Sequence, residues 1–205
     1  MIRLFTYAPD RLNLNGDQGN VLVLQKNLEW AGVRADVVAL NSEKDLRQAE
    51  NYISRSENRG FLLVGHGSYA AMKTLASQVE ALRACMAAFN HASAPVLVVG
   101  SSFEALVPHT KLQQRVSRFQ EVNLVAPTLA GQESSETTTV NLFGYLNSHA
   151  NLPAAQVEGS SIFTLLHGPV LTKSIELQKH LLKYLGAESQ TSNHSSRIAS
   201  LVQSD

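Results

Sequence analysis

Short apolar runs that stop at a glycine constrain this chain more than anything else in it. Phe61-Leu-Leu-Val-Gly65 and Pro95-Val-Leu-Val-Val-Gly100 are apolar throughout and too short for a helix. Runs of that kind suit strands buried on both faces of a parallel sheet. Residues 2–7 and 33–40 read as two further strands. Helix-compatible sequence separates them. Asp17 can cap a helix whose apolar face uses Val21, Leu24, Leu28 and Ala31, and Gly32 ends it. Asn41 or Ser42 can open a polar helix running to about Ser56, and 70–90 reads as one long Ala-rich helix. This alternation predicts an α/β fold, an open and mostly parallel sheet flanked by helices and joined by right-handed crossovers.

The pattern loosens in the second half. Segments 116–126 and 137–146 are rich in Val, Thr, Phe and Leu, and the polar Gly131-Gln-Glu-Ser-Ser-Glu136 lies between them. They read as antiparallel additions to the sheet. Residues 174–185 form a final amphipathic pattern through Ile175, Leu177, Leu181 and Leu185. No linker or repeat divides 1–186, so a single domain is expected there, with 187–205 as a polar tail in which Arg197-Ile-Ala-Ser-Leu-Val202 could form a helical turn.

Composition narrows the function classes. Lys+Arg and Asp+Glu both number 17, so the chain lacks the basic excess of a nucleic-acid binder. Cys85 is the only cysteine, which excludes an internal disulfide and suits a reducing compartment. Its apolar helical surroundings make it a buried structural thiol. The opening residues are too short an apolar run for a signal peptide, and nothing approaches the ~18 apolar residues of a membrane span. A cytoplasmic location is the expectation. No metal-ligand spacing and no cofactor loop appears, and His91, His109, His180 and His194 read as surface residues.

Chemistry concentrates where apolar runs end. The segment Pro95 to Leu106 has the strand-turn-helix form that lifts a reactive Ser or Cys above a sheet, yet its corner residue is Gly100. Ile162-Phe-Thr-Leu-Leu-His167-Gly-Pro169 places a histidine at the end of another apolar run, and Gly65-His66-Gly67-Ser68 follows the strand at 61–64. A lone strand-end histidine can simply fix a turn, and Gly-x-Gly alone is an ordinary strand-to-helix connection.

Three stretches carry a resemblance. They are Tyr7-Ala-Pro-Asp-Arg-Leu-Asn-Leu-Asn-Gly-Asp17-Gln-Gly-Asn20 with its continuation to Gly32, the corner at 95–106, and Leu166-His167-Gly168-Pro169-Val170-Leu171-Thr-Lys173. Together they resemble the CobB/CobQ-type class I glutamine amidotransferases, and within them the glutaminase subunit of lipid II isoglutaminyl synthase. The resemblance implies a flavodoxin-like sheet. It makes Gly100 the position of the family's nucleophilic cysteine, His167 a relic of the catalytic base and Asp17 a relic of the acid that orients it. Gly65, His66 and Gly67 match the oxyanion loop, with His66 replacing a glycine, while Ser101 and Ser102 replace the glycines after the nucleophile. The family's substrate-holding arginine finds no match, since Arg115 and Arg118 fall too early. Phe143-Gly-Tyr-Leu-Asn-Ser-His149 only partly follows the family's Gly-Phe-Glu-Asn-His-Gly-Gly-Arg.

Active members supply ammonia to a Mur ligase-like synthetase that amidates a peptidoglycan precursor. The expectation is therefore a subunit without glutaminase activity that acts as a structural or regulatory partner of such a synthetase, with no cofactor and no metal. Two alternatives stand beside it. One is an active glutaminase using a displaced nucleophile, Ser101, Ser102 or a group on a partner chain. The other is a stand-alone module that binds glutamine or a similar small amide.

Overall fold

The computed structural model describes residues 1–131 and 138–187. The first half runs β1 (Ile2–Tyr7), α1 (Gly19–Trp30), β2 (Ala35–Leu40), α2 (Glu43–Ile53), β3 (Arg59–Val64), α3 (Tyr69–Leu75), α4 (Val79–His91), β4 (Val96–Val99) and α5 (Ser101–Leu106). The second half adds β5 (Lys111–Val125), β6 (Thr139–Ala150), β7 (Ala155–Glu158), β8 (Ser161–Thr164), β9 (Leu166–His167) and α6 (Ile175–Tyr184). Five strands pair in parallel in the order β2-β1-β3-β4-β8, and β7 closes the edge antiparallel to β8. The chain is thus α/β, with a mostly parallel sheet of six strands flanked by helices.

Local signals explain most boundaries. Every residue of β4 is buried, as are all of β3 after Arg59, which is what covering a sheet on both faces requires. Ser42 and Asp45 form a reciprocal capping box at the start of α2, with both bonds present. That helix buries Leu46, Ala49, Tyr52 and Ile53, one stripe at three- and four-residue spacing.

The expected long helix at 70–90 is two helices. A 3-10 turn at Ala76–Gln78 separates α3 from α4, and the Tyr7 hydroxyl donates to Gln78 Oε1 at 3.4 Å. Alanine supplies helical propensity along the whole stretch, but only α4 carries a continuous buried stripe, Leu82, Cys85, Met86 and Phe89. Cys85 is a buried free thiol, and burial foremost pushes its pKa up to about 12.

The segments expected to extend the main sheet do not do so. β5, β6 and β9 form a separate antiparallel sheet, because the open side of β4 is already taken by β8. Val140, Leu142, Leu146 and Ala150 turn one face of β6 into the core. The actual antiparallel addition to the main sheet is β7. His180 also departs from expectation. It is 9% exposed rather than on the surface, and its Nε2 lies 2.7 Å from the Pro127 carbonyl, which ties α6 to the connection after β5. The polar stretch at 132–137, His194 and the helical turn expected at 197–202 fall outside the described residues. Among the described residues no helix is long and apolar enough to cross a membrane.

Candidate functional site

Four connections converge at the carboxyl ends of the parallel strands, the end where open α/β sheets place their sites. They are the loop after β1, residues 65–68 after β3, the corner after β4, and residues 165–168 after β8. Gly65 lets two of them touch, since a Cβ there would stand 2.1 Å from the Leu12 carbonyl oxygen.

Gly100 sits at φ 58°, ψ −121°, a backbone region in which side chains are strained and glycine is not. Its N–H donates to Thr164 O at 2.7 Å, anchoring the corner to β8. A Cβ at this position would lie 2.4 Å from His66 Nδ1, 2.9 Å from His167 Cε1 and 3.0 Å from His167 Nδ1. The space above the corner is therefore filled. The two imidazoles occupy it edge to face, with centroids 4.4 Å apart.

His66 is held by three bonds. Its Nδ1 accepts the Ser101 N–H at 3.0 Å, its N–H donates to Asp17 Oδ2 at 2.9 Å, and its carbonyl accepts the Leu14 N–H at 3.0 Å. Accepting an amide proton requires Nδ1 to be unprotonated. Burial first, and then the neighbouring His167, bring the His66 pKa down to about 4, so the ring is neutral at neutral pH.

His167 has one occupied nitrogen. Nε2 lies 3.2 Å from the Asn147 carbonyl, a contact that needs the proton on Nε2. Nδ1 is then a bare lone pair, and it is buried without a hydrogen-bond partner. Burial lowers the His167 pKa, while the Asn147 carbonyl and Glu104 pull the other way. Glu104 itself accepts the Ser148 hydroxyl at 2.5 Å. Tyr145 stands directly across from His167 in the β6–β9 register, with ring centroids 6.1 Å apart.

Both serines of the corner are committed to the loop after β3. Ser101 Oγ donates to Gly67 O at 2.8 Å and accepts the Gly67 N–H at 3.0 Å. Ser102 Oγ is buried and donates to Gly65 O at 2.7 Å. Neither hydroxyl hydrogen bonds to a histidine. The N–H groups of His66, Gly67 and Ser101, the donors such a loop would offer an oxyanion, are all taken by Asp17, Ser101 and His66.

Asp17 is fully buried, and α1 begins after Gln18 with no side-chain cap. The carboxylate thus does not cap the helix as expected, because it is turned to the loop after β3. It makes no hydrogen bond to His167: Oδ2 takes the His66 N–H and Oδ1 has no partner. Burial foremost raises its pKa to about 6.

The structure thus brings Gly65, His66, Gly67, Gly100, Ser101, Ser102 and His167 into one cluster, with Asp17 behind the loop. Glu104, Tyr145, Asn147 and Ser148 join it unannounced. Glu104 lies one turn beyond Gly100 and reads in sequence as a first-turn acid, while Tyr145 and Asn147 reach His167, and Ser148 reaches Glu104, only through strand register. Arg115 is structural, donating from Nη2 to Ala150 O and Leu152 O, and Arg118 is exposed. Among the described residues no group of three or more His, Cys, Asp or Glu could hold a metal ion. No protein-family model matches the chain, and no curated protein sequence does either.

Proposed function

We propose that this chain is a glutamine amidotransferase-like subunit that hydrolyses no glutamine and serves as a structural or regulatory partner of a Mur ligase-like synthetase acting on peptidoglycan precursor. One observation carries the reading. The corner where a nucleophile would stand is a glycine, and the His66 ring fills the volume that its side chain would need. An acyl-enzyme needs an attacking atom at that position and free donors for the oxyanion, and the cluster offers neither. The motifs at 7–32 and 166–173, which resemble the family most closely, support a scaffold kept without its reaction.

The rivals fare less well on the same geometry. A displaced serine nucleophile needs its hydroxyl on a base, whereas Ser101 and Ser102 both donate to loop carbonyls. A small-amide module needs unpaired donors, and those of the loop are paired internally. The test is release of glutamate from glutamine by the purified chain, with and without the synthetase, together with sedimentation of the mixture. No glutamate and a stoichiometric complex are expected. Turnover that disappears in His167→Ala would overturn the proposal, as would a chain that never associates with the synthetase.

A further inference from the structure

At the opposite end of the sheet from the histidine cluster lies a groove of about 410 Å³, between the start of β1 and the last turn of α2. Its volume falls in the range of small-ligand sites. Arg3, Gln48, Asn51, Tyr52, Arg55 and Asn58 line it, and no acidic side chain does. Among the described residues neither arginine is in an ion pair. The Gln48 and Asn51 side chains are on the exposed face of α2 and make no hydrogen bond among the described residues.

Arg3 is held in place without being neutralised. Its guanidinium lies over the Tyr52 ring, 4.4 Å from the centroid, a contact that fixes the cation and leaves its N–H donors free of a carboxylate. Tyr52 is anchored in turn by an edge contact to Phe5 at 5.5 Å and by its hydroxyl on the Met1 carbonyl. Asn58 donates to the Tyr52 carbonyl at 2.8 Å, which settles the loop that carries Arg55. Asp36, opposite Arg3 in the β1–β2 register, is close enough to add to the rise in the Tyr52 pKa that burial causes, yet it forms no ion pair with either arginine. The end of α2 contributes roughly half a negative charge and Asp36 one more beside the groove, against the two guanidinium charges that line it. The groove is net cationic and rich in N–H donors.

We propose that this groove is an oxyanion site that takes a phosphoryl group, free or carried on a larger molecule. Two guanidinium forks and side-chain amides match the three or four oxygens of a phosphate, which a single point charge would not. The site is open to solvent and far from Gly100, so its ligand is not a substrate for the corner, and the inference stands independently of the function proposed above.

The test is an ¹⁵N NMR titration of the full chain with inorganic phosphate, at ionic strength matched with chloride. Saturable shifts in the low-millimolar range, confined to residues 1–3 and 48–60, are expected. Arg55→Gln, an exposed change that leaves the fold intact, should weaken the apparent affinity several-fold, and Arg3→Gln with Arg55→Gln should abolish saturation. Shifts that chloride alone reproduces, or that persist in Arg55→Gln at full affinity, would overturn the proposal. Methyl phosphate binding as well as inorganic phosphate identifies a phosphoryl carried on a larger molecule as an acceptable occupant; phosphate alone binding restricts the site to the free ion.

Discussion

At the scale of single residues, the corner is closed twice over, by the missing side chain at Gly100 and by the ring of His66. Placing a thiol there alone therefore fails. In Gly100→Cys the new Cβ would stand 2.4 Å from His66 Nδ1, and the positive φ adds roughly 1–3 kcal/mol of strain. Adding His66→Gly clears the ring and leaves the cysteine beside the buried lone pair of His167. Iodoacetamide should label the double variant faster than the single one, with a pH midpoint below that of an ordinary thiol, and His167→Ala should remove the difference. Cys85 is buried and gives little background. Asp17 makes a second prediction. Its folded pKa of about 6 exceeds the ordinary carboxylate value of 3.8, so the folded state holds the proton more tightly. Its contribution to stability is full below 3.8 and is lost as pH rises through 6. His66 runs the opposite way: its depressed pKa favours folding above 6.5, and that gain is lost as pH falls toward about 4. The two slopes offset each other in the native chain. Asp17→Asn keeps an acceptor for the His66 N–H and removes one slope. Its stability relative to the native chain, from urea midpoints, should climb between pH 4 and 7 by on the order of 2–3 kcal/mol. A flat difference would show that the carboxyl is not strained by burial.

At the scale of elements, the sequence was legible where one local signal sufficed. β3 and β4 are uninterrupted apolar runs, and α2 announces itself by Ser42 and Asp45. Reading failed where two elements compete for the same partner. Nothing in 116–126 or 137–146 reveals that β8 will claim the side of β4, and that choice sends β5 and β6 into their own sheet. The Ala-rich stretch reads as one helix because alanine propensity ignores where the core lies, and only packing separates α3 from α4. The cluster divides in the same way. Gly100, His66 and His167 stand out as chemistry-bearing residues at strand ends. Glu104, Asn147 and Ser148 reach it through the pairing of β6 with β9 and the turn of α5, which no spacing encodes. Asp17 reads as a cap from its position before a helix, and only the three-dimensional approach of the loop after β3 gives its carboxylate a different donor.

At the scale of the whole molecule, stretches 7–32 and 166–173 are joined by one buried side chain. Asn20 Nδ2 donates to the Asp17 carbonyl at 3.0 Å, and its Oδ1 accepts the Leu171 N–H at 2.9 Å, across 151 positions of sequence. Gly19 adds to this junction, because a Cβ there would press within 2.8 Å of the Pro169 ring. Asn20 and Gly19 therefore have a structural role in joining stretches 7–32 and 166–173 that involves no turnover. Asn20→Ala tests that reason. It leaves the Leu171 N–H buried without an acceptor, a loss of about 1–3 kcal/mol. Urea denaturation should show a lower midpoint of that size with an unchanged slope, and hydrogen exchange at Leu171 should speed up. A midpoint that does not move would mean the two stretches are held together by packing alone.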